Sequence, residues 1–207
     1  MKLALLVLSI FLVAACGPSS SSNSARNGSN AEVKNGVTPV ADSEIAVIEM
    51  ENSAAYGTIK IELYSNIAPK AVTQFKALAK EGVYDGTSFH RINASVVQGG
   101  DPLSKDSDPM NDGTGKSDKP NVPAEFSDIP YDTGIVGAAR SSQDVNSANS
   151  QFFITLKREA GFDNKYTIFG KVIEGMNNVR TISAVQPKEG ERPVEPVRIK
   201  TVRIESK

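Results

Sequence analysis

Ser88-Phe89-His90-Arg91-Ile92-Asn93-Ala94-Ser95-Val96-Val97-Gln98-Gly99-Gly100-Asp101-Pro102 is the stretch on which the fold turns. Ser88 to Ile92 and Val96 to Gln98 read as two short strands, and a long loop rich in Gly, Pro, Asp and Ser opens at 101 and runs to 133. Upstream, Ile45, Val47, Ile59, Ile61 and Leu63 alternate with Glu49, Lys60 and Glu62, the period of two expected of strands with one buried face, around a turn near Asn52 to Gly57. Between these segments Pro69 opens a helical pattern: Ala68, Ala71, Val72, Phe75, Leu78 and Ala79 share one face, and Gly82 ends it.

Downstream, short strand-like runs occur at Gly134 to Ala139, Gln151 to Leu156, Thr167 to Val172 and Val197 to Ile204. A weaker helical pattern (Met176, Val179, Ile182) lies between the last two, and a second loop spans 140 to 149. Many short strands with two helices predict a mainly β fold, a closed barrel whose open ends the helices plug.

The N-terminal 43 residues differ in kind. Met1-Lys2 is followed by an almost unbroken apolar run from Leu3 to Ala15. That is shorter than the ~20 residues of a membrane-spanning helix and reads as a secretory signal. Val13-Ala14-Ala15-Cys16 resembles the lipobox of bacterial lipoproteins, in which the cysteine is acylated, for instance with palmitate, and becomes the mature N-terminus. Gly17 after Cys16 resembles lipoproteins sorted to the outer membrane of cells that have one. From Gly17 to Ser43 the chain is rich in Ser, Asn and Gly and reads as a flexible tether. The organisation expected is a signal peptide over 1–15, a lipidated Cys16 with its tether over 16–43, and one folded domain over 44–207. The protein is then expected in the cell envelope, facing the periplasm or exterior. Cys16 is the only cysteine, so the domain holds neither a disulfide nor a cysteine metal site. A net charge of −1 with scattered basic residues argues against a nucleic-acid partner.

Phe89-His90-Arg91, Gln98-Gly99-Gly100-Asp101-Pro102, Asn149-Ser150-Gln151-Phe152-Phe153-Ile154 and Phe169-Gly170-Lys171-Val172 with Glu174-Gly175-Met176 stand in the order and approximate spacing of the cyclophilin family. Over roughly 44 to 205 the chain resembles these peptidyl-prolyl cis/trans isomerases. The resemblance implies a closed eight-stranded antiparallel barrel capped by two helices, acting as a monomer on proline-containing polypeptides with no cofactor and no metal. It assigns catalysis to Arg91, with Gln98 beside it. It assigns peptide contact to Gln151, the proline pocket to Phe153, and a backbone edge to Ala139 and Arg140, where the Arg140 side chain itself need not matter. His90, the only histidine, falls where the family has no catalytic residue.

Chemistry favours an arginine in that place. Rotation about an Xaa-Pro bond faces a barrier of ~18–20 kcal/mol because twisting destroys amide resonance. The twisted prolyl nitrogen regains a lone pair and accepts a hydrogen bond only near the transition state, so a donor aimed there binds that state selectively. A guanidinium is always charged and presents its donors in a rigid fork.

The chain also departs from the family. Between Arg91 and Gln98 it is one residue shorter, with Ser95 in place of a pocket phenylalanine and Val96 where a methionine is common. Gly161-Phe162 replaces Trp-Leu, and Tyr166 replaces a frequent histidine. Phe162 and Tyr166 are expected to fill the space that Ser95 and Gly161 leave. These changes keep a second possibility open, a proline-peptide-binding module or chaperone that has lost turnover.

Overall fold

The computed structural model describes residues 31–185 and 189–207. The apolar run, Cys16 and the Ser-rich stretch as far as Asn30 lie outside the described residues.

Ten strands and three helices make up the rest: β1 Val33–Lys34, β2 Glu44–Met50, α1 Ser53–Tyr56, β3 Thr58–Leu63, α2 Pro69–Lys80, β4 Arg91–Ile92, β5 Val96–Gly99, β6 Phe126–Ser127, β7 Ile135–Ala138, β8 Phe152–Thr155, β9 Ile168–Glu174, α3 Met176–Ser183 and β10 Ile199–Ser206. Eight strands form one antiparallel sheet in the order β10-β2-β3-β9-β7-β8-β5-β4. The expected barrel is therefore open. β4 and β10 are end strands with no ladder between them; the segment before β4 meets the start of β10 through the isolated bridge Ser88–Arg198 and backbone hydrogen bonds from Phe89 N to Val197 O (3.0 Å), Ile199 N to Thr87 O (2.7 Å) and Gly86 N to Ile199 O (2.8 Å). β4 is two residues long, too short to carry a ladder onto β10.

The alternation in β3 works as expected, while in β2 the face toward this core carries Ala46, Ile48 and Met50 rather than Ile45 and Val47. Ile59, Ile61 and Leu63 are fully buried, facing Ala46, Ile48 and Met50 of β2 and the apolar stripe of α2, Val72, Phe75 and Leu78. α2 starts at Pro69, yet Ala68 at its N-cap offers no side-chain acceptor. Glu125, buried on a distant loop, supplies one: its carboxylate accepts Lys70 N (3.1 Å) and Ala71 N (3.0 Å). A negative charge there suits both the unpaired amides and the helix dipole. The helix count exceeds the two expected, because the turn after β2 closes into the four-residue α1, where Asn52 accepts Ala55 N.

A second difference lies at the N-terminal side of the domain. Residues 32–43, polar enough to read as tether, lie along the sheet. β1 pairs in parallel with β6, and Val37 and Ala41 pack on a cluster containing Tyr64, Ile67 and Phe153. Asp42 accepts from Ser65 Oγ (2.7 Å) and Lys76 Nζ (2.6 Å). A few apolar side chains and one half-buried ion pair dock this strap, a signal that composition averages away.

β8 separates its two phenylalanines as strand geometry requires. Phe152 enters the main core edge-on to Phe75, Tyr84 and Phe89, while Phe153 faces the opposite cluster with Tyr131, Ile135 and Ile168. The site forms on that second face.

Candidate active site

The β4–β5 hairpin carries the first two residues. Arg91 pairs with Gln98 and Ile92 with Val97, leaving Asn93 to Ser95 as the turn. Asn93 closes this short turn: its Oδ1 accepts Ser95 N (2.8 Å) and Val96 N (2.9 Å), beside the backbone bond from Asn93 N to Val96 O (3.1 Å). Ser95 stays in this turn, whereas buried Val96 faces the pocket.

Arg91 donates from Nη1 to Gln98 Oε1 (3.2 Å), and Gln98 Nε2 donates to Gln151 Oε1 (2.9 Å). Gln151 Nε2 in turn donates to the carbonyls of Gly113 (3.0 Å) and Gly115 (2.8 Å). That loop is pinned by Asp101, fully buried, whose carboxylate accepts Leu103 N (2.8 Å) and Gly115 N (3.0 Å). A Cβ on Gly115 would fall 2.1 Å from Asp101 Oδ1, so this close approach requires glycine.

Beside the guanidinium lies a pocket of about 80 Å³. Phe153, Phe162 and Tyr166 form its aromatic wall, Val96 and Ala139 complete the apolar lining, and Arg91, Gln98 and Arg140 are its polar members. The rings meet edge-on or tilted, Phe153 to Phe162 at 5.6 Å and 74°, Phe153 to Tyr166 at 5.5 Å and 87°, and Phe162 to Tyr166 at 5.2 Å and 58°. These are attractive geometries that hold a fixed wall. Of the residues expected to contact the substrate, Gln151 alone lies outside it, lining an adjoining groove of about 270 Å³ with Gly113, Gly115 and Ser147.

The side chain of Arg140 turns back onto the protein. Its guanidinium sits 4.5 Å from the Tyr166 ring centroid and donates to Lys165 O (2.9 Å) and Ser141 O (2.8 Å), so it braces the Tyr166 wall. The Ala139 N–H is already given to Gln151 O (2.9 Å).

Other site-shaping residues escaped sequence reasoning. Tyr131 is fully buried and stacks on Phe153 (5.8 Å, 24°), and burial pushes its phenol well above the usual range. Gly137 makes room for both, since a Cβ there would lie 2.5 Å from the Phe153 ring and 2.7 Å from the Tyr131 oxygen. A glycine inside a strand was the signal for it. Glu191, from the far end of the domain, accepts a hydrogen bond from Arg91 Nε at its Oε2 (2.6 Å). No local pattern marks it.

His90, just before β4, is 5 % exposed beside Gly113, lines a separate pocket with Asp112 and Arg192, and burial, its largest influence, pushes its imidazole below the usual range. Among the described residues no group of three His, Cys, Asp or Glu side chains is placed to hold a metal, and no helix is long and apolar enough to cross a membrane.

The family model described as cyclophilin type peptidyl-prolyl cis-trans isomerase/CLD matches residues 47–204. A probable peptidyl-prolyl cis-trans isomerase of Brucella suis is 45 % identical over 131 residues, 61 % of this chain and 66 % of that protein, so the chain spans just under two thirds of that relative's length. Peptidyl-prolyl cis-trans isomerase ppi1 of Schizosaccharomyces pombe is 37 % identical over 162 residues, 75 % of this chain and 96 % of the relative. Among solved structures, a Cryptosporidium parvum cyclophilin type peptidyl-prolyl cis-trans isomerase, crystallised in the presence of the dipeptide Ala-Pro, superposes with a TM-score of 0.70 at 30 % identity, covering 79 % of this chain and 99 % of that one.

Proposed function

This chain belongs to the cyclophilin-type peptidyl-prolyl cis/trans isomerase family, and we propose that it catalyses rotation about Xaa-Pro bonds, with Arg91 as the hydrogen-bond donor to the twisted prolyl nitrogen. One observation carries this: a guanidinium fixed by Gln98 stands at the edge of a small pocket walled by Phe153, Phe162 and Tyr166. The pocket takes the flat apolar proline ring, Gln151 holds the neighbouring peptide backbone, and Arg91 meets the nitrogen. The ring's burial contributes equally in ground and transition states and sets affinity. The Arg91 bond forms only when the amide twists, and therefore sets the rate. No bond is made or broken in the substrate, so no proton-transfer group is needed. The family relative crystallised with Ala-Pro supports a proline peptide as ligand.

The same proposal includes the location. Leu3 to Ala15 followed by Cys16 supports a lipoprotein anchored in the cell envelope, where a monomeric domain acts on folding envelope or secreted chains. The test of activity is an NMR exchange or protease-coupled assay on Xaa-Pro peptides. Arg91→Ala is expected to lose about 10²-fold or more in kcat/KM with an unchanged CD spectrum. Near wild-type turnover by that variant would overturn the mechanism, and peptide binding without turnover by the wild type would make the protein a binding module.

A further inference from the structure

Arg91 is held from two sides. Nη1 reaches Gln98 on the neighbouring strand, and Nε donates to Glu191 Oε2 at 2.6 Å. The second Glu191 oxygen accepts Asn93 Nδ2 at 3.0 Å, and Asn93 Oδ1 is itself fixed by Ser95 N and Val96 N. One carboxylate thus ties the guanidinium to the turn of its own hairpin. The delivery is specific: Gly190 and Glu191 both adopt positive φ (75° and 70°), a conformation rare for a glutamate, and the next residue, Arg192, pairs with Asp112 at 3.6 Å.

Resting on the isomerase reading above, we propose that Glu191 is a positioning residue for Arg91. Held at Nε and Nη1, the planar fork keeps only its remaining N–H groups for the substrate, and their direction is set before the peptide arrives. Preorganised donors act without reorganisation during the reaction, and misplacement of a reacting group by an ångström is costly. The opposite expectation is equally physical. A carboxylate beside the guanidinium reduces the positive field at the prolyl nitrogen, so its removal would speed the reaction if charge rather than aim were limiting.

Steady-state kinetics separate the two. Glu191→Ala is expected to lower kcat about tenfold with KM changed less than about twofold, because the Arg91 bond forms in the transition state. Glu191→Gln alone turns an amide donor toward the Asn93 amide donor and is expected to fall as well. Glu191→Gln combined with Asn93→Asp restores a donor facing an acceptor and is expected to recover most of kcat, a rescue that a purely structural role would not show. Glu174→Gln, a surface carboxylate paired with Lys60, serves as the unaffected control. Independently of activity, the Arg91 Nε–H resonance in ¹⁵N NMR is expected to be protected from exchange in the wild type and to lose protection in Glu191→Ala. Unchanged or raised kcat in Glu191→Ala, with Arg91→Ala inactive, overturns the proposal. An inactive wild type overturns the isomerase reading instead, and an unprotected Nε–H in the wild type overturns the Glu191 contact itself.

Discussion

Arg91 and Gln98 are register partners across the β4–β5 ladder, and the guanidinium Nη1 donates to Gln98 Oε1 at 3.2 Å. Gln98 also donates to Gln151, so a single amide links the proposed donor to the residue proposed to hold the peptide. The link is an amide throughout. It carries no titratable group, and its donors and acceptors keep their identity across the pH range.

Gln98→Ala should cost less than Arg91→Ala, about threefold to tenfold in kcat/KM, because Glu191 still holds Nε after the amide is gone. Arg91→Lys should resemble Arg91→Ala rather than the wild type, since a lysine offers no fork for Gln98 and Glu191 to hold together. Steady-state kinetics of the three variants check the order. A Gln98→Ala loss equal to that of Arg91→Ala would make the glutamine a direct participant.

Much of this site was legible in advance. Arg91, Gln98 and Phe153 sit on regular strands and Gln151 immediately precedes one, so position in a motif dictates position in space. Phe162 and Tyr166 are expected near the pocket from the motif positions they occupy, and both line it. Glu191 was not legible, because it lies 100 residues from Arg91 and reaches it through a turn with no periodic pattern. The strap 32–43 was missed for a related reason: its docking rests on Val37, Ala41 and Asp42, and their partners are visible only once the sheet exists. Closure of the barrel failed because strand count alone does not determine whether the end strands are long enough to pair.

Activity should be nearly flat from about pH 6 to 9, since an arginine does not titrate there. Stability should not be flat. Burial depresses the His90 pKa, so the unfolded chain takes up its proton first; stability is full above the unfolded value near 6.5 and declines as pH falls toward the lower folded value. In stronger acid a second loss follows. Burial would raise the Asp42 carboxyl, but Lys76 and Ser65 outweigh it and hold it low, so that contribution disappears as pH falls below ~4. Denaturant titrations at several pH values should show both losses, with the first absent in His90→Asn. A bell-shaped activity profile that vanished in His90→Asn would give the histidine a catalytic role.

Cys16→Ser should release the protein from the membrane fraction without loss of isomerase activity, because the anchor precedes the docked strap and none of the residues lining the pocket comes from the segment before β2. Fractionation and assay of the soluble variant check both halves. Retention of Cys16→Ser in the membrane would replace the lipid anchor with an uncleaved N-terminal segment.

Cyclosporin, which many cyclophilins bind through the proline groove and a tryptophan, tests the remaining departure. This chain has no tryptophan, and the matching residue is Gly161, exposed in the turn Ala160–Phe162. Neighbouring Phe162 cannot take over the contact freely, because its ring is already packed at 5.8 Å from Tyr131 and 5.6 Å from Phe153 as part of the pocket wall. Nor can a phenyl ring replace the indole N–H donor. Loss of one such anchor costs about 2 kcal/mol or more, roughly 30-fold in affinity. Inhibition should therefore be at least about tenfold weaker than for a tryptophan-bearing homologue assayed in parallel. Gly161→Trp should recover part of the difference, since a Cβ at this position meets no atom within 4 Å and the backbone φ is not in the left-handed region. Basal turnover should change little in that variant, as Gly161 does not line the pocket beside Arg91. Equal inhibition of the two wild-type proteins would mean that the ligand draws its affinity from the aromatic wall and Gln151 rather than from the turn at Gly161.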